Sequence, residues 1–205
     1  DISLCLVGSE MCIRDRKLMQ TAGIDGLVLF RAESFRYAVG APAGVATMWG
    51  RAGAAIAVVP ADEAATLGVV ASDHAAGSIR SVGIEIDLRT HRIWIDMVDA
   101  TGATSIHDIN SAYRMAGTNG PRPETFDQNL ALALLGDILR ERGLARARIG
   151  ADLDFLPAAD LDALKRALPD VTWTDGSDVL RRMRAIKSAR EITRLGRAAL
   201  AAEAG

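Results

Sequence analysis

The sequence predicts an α/β domain in which helices cover a sheet. Short apolar runs bounded by Gly or Pro occur early in the chain and are typical of buried strands. After residue 123, helices with an apolar stripe alternate with further short strands. This alternation indicates a sheet with helices packed on it. The 205 residues suffice for one or two domains with a sizeable core.

The first part of the chain is predicted to supply most of the sheet. Its elements, in order, are the tail of a helix at 17–22, a strand at 26–30, a short helix at 33–39, and strands at 54–59 and 66–71. Gly23 is a suitable residue to follow the first helix, because glycine adopts the left-handed conformation readily. The last two strands lie close together along the chain, so hairpin pairing is predicted for them.

Residues 73–122 give the weakest pattern. Residues 93–95 are predicted as a short strand. The segment 99–123 is rich in Gly, Ser, Thr, Asn and Pro and is predicted as a long surface loop.

The pattern is clearer after Pro123, a residue suited to the first position of a helix. The apolar stripe of that helix is formed by Phe126, Leu130, Leu134 and Ile138, widened by Leu135 and Leu139, and the helix is predicted to end at Gly143. The remaining elements are a strand at 148–151, a helix between Pro157 and Pro169, a strand at 171–173, a helix at 177–185 and a last helix. The capping box of Ser188 and Glu191 begins that last helix.

The composition excludes several classes of protein. Hydrophobic residues make up 49% and charged residues 24%, as in ordinary globular domains, and the formal net charge is −2. Nucleic-acid or anionic-membrane binding is not expected, because both call for a basic stripe. No apolar run reaches the roughly 18 residues that span a bilayer.

The first sixteen residues differ from the rest. They contain Cys5 and Cys12 and resemble a translated adaptor sequence that recurs at the ends of reading frames assembled from environmental DNA. Residues 1–16 are therefore interpreted as a non-native assembly scar. Without them no cysteine remains, which excludes a disulfide framework and a thiol nucleophile.

The histidines give no metal site. None of His74, His91 and His107 has a second His or Cys at the spacing of zinc ligands. The neighbouring pairs Asp73–His74 and His107–Asp108 are interpreted as solvated loop residues. No residue is assigned a catalytic or metal-binding role.

Other charged residues receive structural interpretations. Asp152 and Asp154 precede a predicted helix, where carboxylates favour the helix dipole, so capping is preferred over metal binding. The basic cluster is interpreted as a solvated helix face; it consists of Arg181, Arg182, Arg184 and Lys187. The sequence has no GxSxG elbow, no Walker loop and no GxGxxG after a strand.

The segment Trp49-Gly50-Arg51 is the candidate binding site. It lies just before the strand predicted at 54–59, where a loop ends. The guanidinium of an arginine is well suited to bind a carboxylate with two parallel hydrogen bonds. A solvated arginine at the end of a strand is the alternative.

Several segments, taken in order, resemble the N-terminal domain of the creatinase, prolidase and aminopeptidase P superfamily. They are LMQTAGIDG at 18–26, FRYAVG at 35–40, the strand at 54–60, RIGAD at 148–152, FLP at 155–157 and LRRMRAIKSAREI at 180–192. The last is similar to the "LRxIKSxxEI" junction of the family. The resemblance implies a three-layer α/β/α domain with a mixed sheet at 17–186. It also implies that 187–205 are the linker and first helix of a truncated catalytic domain.

The resemblance also implies an activity for a longer parent enzyme. That enzyme would be a cytoplasmic, homodimeric Xaa-Pro peptidase with two divalent metal ions (Mn, Co or Zn) in a C-terminal domain. The present domain would provide substrate access and dimerisation. The alternatives are a creatinase-like C–N hydrolase acting on a small amidine, and a non-catalytic binding module of the same fold. No metal ligand of the family can be placed here, so the chain alone is expected to be inactive.

By the same resemblance, Arg51 and Trp49 would serve a neighbouring subunit. The matching segment of creatinase reads Phe-Gly-Arg and reaches into the active site of the partner. Arg51 would therefore hold the substrate carboxylate in trans, and Trp49 would form an apolar wall beside it.

Overall fold

The computed structural model describes residues 13–117 and 120–204. The strands are β1 (Gly26–Leu29), β2 (Ala55–Pro60), β3 (Leu67–Ser72), β4 (Ile86–His91), β5 (Arg148–Ala151) and β6 (Thr172–Asp175). The helices are α1 (Ile13–Thr21), α2 (Ala32–Val39), α3 (Ala76–Arg80), α4 (Ile106–Ala116), α5 (Gln128–Glu141), α6 (Ala158–Ala167), α7 (Ser177–Ala185) and α8 (Ala189–Ala204). Short 3₁₀ helices cover Val45–Trp49 and Asp73–Ala75.

The described strands form one mixed six-stranded sheet in the order β4-β3-β2-β1-β5-β6. β2 pairs antiparallel with both β1 and β3, and the other pairs are parallel. β2 is thus the reversed strand of the sheet, and β1, β5 and β6 end at the same edge. The predicted hairpin of the second and third strands is confirmed as β2 and β3.

Each face of the sheet buries its own core, because side chains alternate between faces along a strand. Leu27 and Leu29 of β1 pack beneath α1, α2, α3 and α7, with Phe35 and Met183 among the buried partners. Val28 of β1 packs on the opposite face beneath α5 and α6. The prediction of a three-layer α/β/α domain with a mixed sheet is therefore confirmed.

The segment predicted as a long loop contains a helix, so that prediction was wrong. The hydroxyl of Ser105 accepts from the amide of Asp108, and the Asp108 carboxylate accepts from the amide of Ser105. This reciprocal capping begins α4 despite the loop-like composition. No residue of α4 is buried: Ile106, Ile109 and Tyr113 recur at helical spacing, but their side chains stay exposed.

Three further segments depart from the sequence analysis. The segment without a clear pattern includes the edge strand β4, whose side chains are mostly only partly buried. Residues 93–95 form no strand; Ile93 makes a single bridge to Phe126. α5 starts at Gln128 rather than Pro123, because Asp127 accepts a hydrogen bond from the amide of Leu130 and caps the helix there.

The stripe predicted for α5 was only partly right. Leu135, Ile138 and Leu139 are buried as predicted, but Leu130 is 44% exposed. Phe126 lies before the first residue of α5, so it is not part of the apolar stripe of that helix.

The boundary drawn at residue 16 falls inside a helix. α1 begins at Ile13 and includes Asp15, whose carboxylate accepts from the hydroxyl of Tyr37. Residues 13–16 are thus part of the described fold, and the rest of the predicted scar lies outside the described residues. None of the described helices is both long and apolar enough to cross a membrane.

Candidate functional site

The candidate segment lies in a tight loop between the 3₁₀ helix Val45–Trp49 and β2. Gly50 and Gly53 have φ angles of 60° and 107°, which side-chain-bearing residues rarely adopt. These two glycines bracket Arg51 and Ala52, so the loop turns twice within four residues. The turns expose Arg51 and bury Ala52.

Arg51 is anchored by Asp160, the third residue of α6. Its Nε lies 2.9 Å from each Asp160 carboxylate oxygen, and its Nη2 lies 2.7 Å from Oδ1. The same carboxylate accepts from the amide of Ala52 at 2.8 Å. The side chain of Asp160 is 1% exposed and that of Arg51 is 50% exposed. The ion pair therefore has one buried end and one open end.

Gln128, the first residue of α5, completes the network. Its side-chain amide donates to the carbonyl of Ala52 at 2.9 Å, and its Oε1 accepts from Arg51 Nη2 at 3.4 Å. Residues from two helices therefore fix the conformation of one short loop. Sequence reasoning missed Asp160 and Gln128, because they follow Arg51 by more than 75 residues and share no motif with it.

The electrostatics of the pair follow from these contacts. Burial would raise the pKa of Asp160, but hydrogen bonds from Arg51, the Ala52 amide and Gln128 hold that pKa below its ordinary value. The hydrogen bond and charge of Asp160 raise the pKa of Arg51. Both groups are therefore charged at neutral pH.

Trp49 lies two residues before Arg51 and is 49% exposed. Its ring packs edge-to-face on Trp94, with 6.1 Å between ring centroids. The half-exposed ring of Trp49 and the half-exposed guanidinium of Arg51 are thus separated by a single residue of the chain. Whether either residue binds substrate stays a prediction.

The paired Asp and His residues have structural contacts that the sequence did not reveal. Asp73 accepts from Arg122 at 2.9 Å, so it is part of an ion pair and not merely solvated. His91 is buried, with its ring nitrogens 3.3 Å from the carbonyl oxygens of Arg92 and Ala54. The His107–Asp108 pair lies in α4 rather than in a loop.

Asp152 binds backbone amides, but not those of the helix that follows it. Its carboxylate accepts from the amides of Phe30 and Arg31 at 2.9 and 3.0 Å, just before α2. Burial raises the pKa of Asp152, and these amides partly offset that effect. Asp154 accepts from Arg181 at 3.3 Å. The prediction that Asp152 and Asp154 cap the helix after them was therefore wrong, because the N-cap residue of α6 is Pro157 and the helix has no side-chain cap.

The metal ions implied by the resemblance have no fitting ligand set here. Residues 13–117 and 120–204 contain no group of three or more His, Cys, Asp and Glu side chains able to hold a metal ion. No chemical step is therefore assigned to a metal in this domain.

The sequence profile described as "Creatinase/Prolidase N-terminal domain" matches residues 14–186. The chain belongs to this family. The match covers both helical layers, the sheet and the Arg51 loop. A search of curated proteins finds no match.

Solved structures show the same fold. An X-Pro aminopeptidase from Thermotoga maritima superposes with a TM-score of 0.56 at 12% identity, over 88% of this chain and 37% of that one. A Xaa-Pro dipeptidase from Bacillus anthracis gives 0.53 at 16% identity, over 88% and 36%. The N-terminal domain of the cytoplasmic peptidase PepQ from Mycobacterium tuberculosis gives 0.52 at 14% identity, over 83% and 97%. The chain thus matches little more than a third of the two longer enzymes.

Proposed function

We propose that this domain is the N-terminal, substrate-access and dimerisation domain of a cytoplasmic Xaa-Pro peptidase. In this proposal Arg51 binds the carboxylate of a short peptide in the active site of a partner subunit. Trp49 provides the apolar surface beside it. The metal ions and the hydrolytic residues belong to a catalytic domain.

The observation that carries the proposal is the half-exposed guanidinium of Arg51 on a fixed loop. Asp160 binds Nε and Nη2 of Arg51, and Nη1 makes no hydrogen bond or ion pair within the described part of the chain. Preorganisation matters because an arginine already held in place loses less side-chain entropy when it binds a ligand. The three solved neighbours described above are named as peptidases, two of them acting on Xaa-Pro or X-Pro substrates.

In an enzyme that joins this domain to its catalytic domain, we expect Arg51→Ala to raise KM about ten- to a hundred-fold. The charge-assisted hydrogen bonds lost contribute about 1.5–3 kcal/mol. The change in kcat should be smaller if the contact is equal in ground and transition states. Arg51→Lys should rescue only partly, because an ammonium cannot reproduce the guanidinium fork. Steady-state kinetics on a proline dipeptide measure KM and kcat for the wild type and both variants.

Arg140→Ala is the matched control, because Arg140 is also an exposed arginine paired with an aspartate, Asp137. Its kinetics should stay at wild-type values. The trans arrangement is tested by mixing Arg51→Ala subunits with subunits that lack a catalytic ligand. Activity should reappear, since each mixed dimer has one intact site. No recovery despite proven subunit exchange contradicts the trans role.

A further inference from the structure

A concave surface lies at the edge of the sheet where β1, β5 and β6 end. We name it the basic groove. It has a volume of about 550 Å³ and is lined by α2, α7, the segment after β5, and the start of α8. The chain leaves β1 into α2 on one face of the sheet and leaves β5 into α6 on the other. Such switch points at the carboxyl ends of strands are where open α/β sheets bind ligands.

The charge of the basic groove is strongly unbalanced. Its acidic residues are Asp154 and Glu191, whereas its cationic residues are Arg31, Arg36, Arg181, Arg184, Lys187 and Arg194. Six cations and two carboxylates line this groove in a chain whose formal net charge is −2. The groove therefore concentrates positive potential on a nearly neutral protein.

The carboxylates present are already engaged. Glu191 accepts from the amide of Ser188 in the capping box of α8, and Asp154 accepts from Arg181. Within residues 13–117 and 120–204, no salt bridge forms at Arg31, Arg36, Arg184 or Lys187. Unpaired like charges around one cavity repel each other, and an anion bound between them would relieve that repulsion.

The basic cluster of Arg181, Arg182, Arg184 and Lys187 is exposed, as predicted for a solvated face, but part of it also lines the groove. Arg182 pairs with Asp178 at 3.0 Å and does not line the groove. Arg181, Arg184 and Lys187 do line it. Arg31 and Arg36 lie more than 140 residues before these cations in the sequence. Only the fold brings the two sets of cations together.

The shape of the basic groove favours a small ligand over a nucleic acid. Its cations surround a compact volume from several directions, whereas a nucleic acid calls for a stripe that follows a backbone. The volume lies within the range of about 300–1,000 Å³ that is usual for small-molecule sites. Arginine forks match the oxygens of phosphate and carboxylate groups equally well.

We propose that the basic groove binds a small polyanion, a molecule with two or more phosphate or carboxylate groups. Arg36 on α2 and Arg184 on α7 contact it from different helices. This site is separate from the Arg51 loop and does not depend on the proposed peptidase function.

Isothermal titration of the 205-residue chain with pyrophosphate and with citrate, at matched ionic strength, tests the proposal. We expect saturable one-site binding of at least one of the two, and tighter binding of pyrophosphate would identify phosphate as the preferred group. Arg36→Ser and Arg184→Ser should each weaken binding about tenfold or more, because each removes a charge-assisted contact. The reverse preference, for citrate, would identify carboxylate.

Arg166→Ser is the matched control, because Arg166 is exposed on α6 and does not line the groove. It should bind as wild type does, and circular dichroism of each variant without ligand checks the fold. Absence of saturable binding of both probes to the folded wild-type chain overturns the proposal. So does equal binding by all three variants, or competition of pyrophosphate by a single-stranded oligonucleotide that binds more tightly.

Discussion

The carboxylate of Asp160 fixes the Arg51 loop and also stabilises the folded domain. It accepts from Arg51 and from the amide of Ala52 while almost fully buried. Since the folded pKa lies below the unfolded value of about 3.9, protonation favours unfolding. The stabilisation is complete above the unfolded pKa and is lost as the pH falls through the folded pKa.

We therefore expect Asp160→Asn to cost about 1–3 kcal/mol at pH 7, because buried hydrogen bonds to a charged acceptor are lost. The variant should also lose less stability than wild type as the pH falls below about 5. Urea unfolding across this range measures both effects. Asp162→Asn on the exposed side of α6 is the control. An Asp160→Asn variant with the acid dependence of wild type would contradict this account.

At this scale the sequence indicated Arg51 but not its partners. An arginine after a tryptophan and a glycine is visible as a motif, and its guanidinium is indeed half exposed. Asp160 looks like any acidic residue in the first turn of a helix. Only the packing of α6 next to the loop brings the two together, and no local pattern encodes that packing.

Among the elements, β3 depends on one glycine beneath α5. A Cβ at Gly68 would lie 2.7 Å from Ile138 Cγ2 and 3.3 Å from Val58 Cβ. Ile138 is fully buried and its Cγ2 sits close to the helix backbone, so it has little freedom to move aside. The missing side chain lets α5 lie directly on the sheet.

We expect Gly68→Ala to destabilise the domain by about 1–3 kcal/mol through overpacking. The cost should shrink in an Ile138→Ala background, where the clashing methyl is gone. Gly77→Ala in α3 is the opposite control: its Cβ meets nothing within 4 Å, so about 0.5–1 kcal/mol of stabilisation is expected. Chemical denaturation measures each, and a neutral Gly68→Ala would show that α5 can move away from the sheet.

How well an element could be predicted depended on how deeply it is buried. The strands β1 and β2 are buried along their length, and their apolar runs reveal them. α4 has no buried residue and β4 lies at the sheet edge, so neither contributes a continuous apolar run to the sequence. α4 is defined by the capping box at its start and β4 by its pairing with β3. Amino-acid composition reveals neither feature.

At the scale of the molecule, the proposed function predicts that the isolated chain has no catalytic activity. We expect the 205-residue chain not to hydrolyse proline dipeptides with added manganese, cobalt or zinc. The reason is that the proposal assigns the metals and hydrolytic residues to a separate catalytic domain. A chromogenic assay for released proline measures this. Metal-dependent turnover that survives repurification would contradict the assignment of catalysis to a separate domain.

The fold as a whole was easier to predict than the surfaces for which functions are proposed. The three layers follow from alternating apolar strands and amphipathic helices, which the sequence shows directly. The basic groove follows from the meeting of α2 and α7 at one sheet edge, where Arg36 and Arg184 approach from distant parts of the chain. Such a surface depends on topology, which the local patterns alone do not determine.

The position of β1 in the sheet has a consequence for the order of folding. β1 pairs with β2 across a short connection, Gly26 opposite Pro60, but with β5 across most of the chain, Gly26 opposite Ile149. Closing a long loop carries an entropic cost that local contacts avoid, so non-local parallel pairing forms slowly. The β1–β2–β3 meander should therefore form early, and the β5–β6 unit should join it late. The basic groove spans both units, so it comes into existence only when the chain completes its last strand pairing.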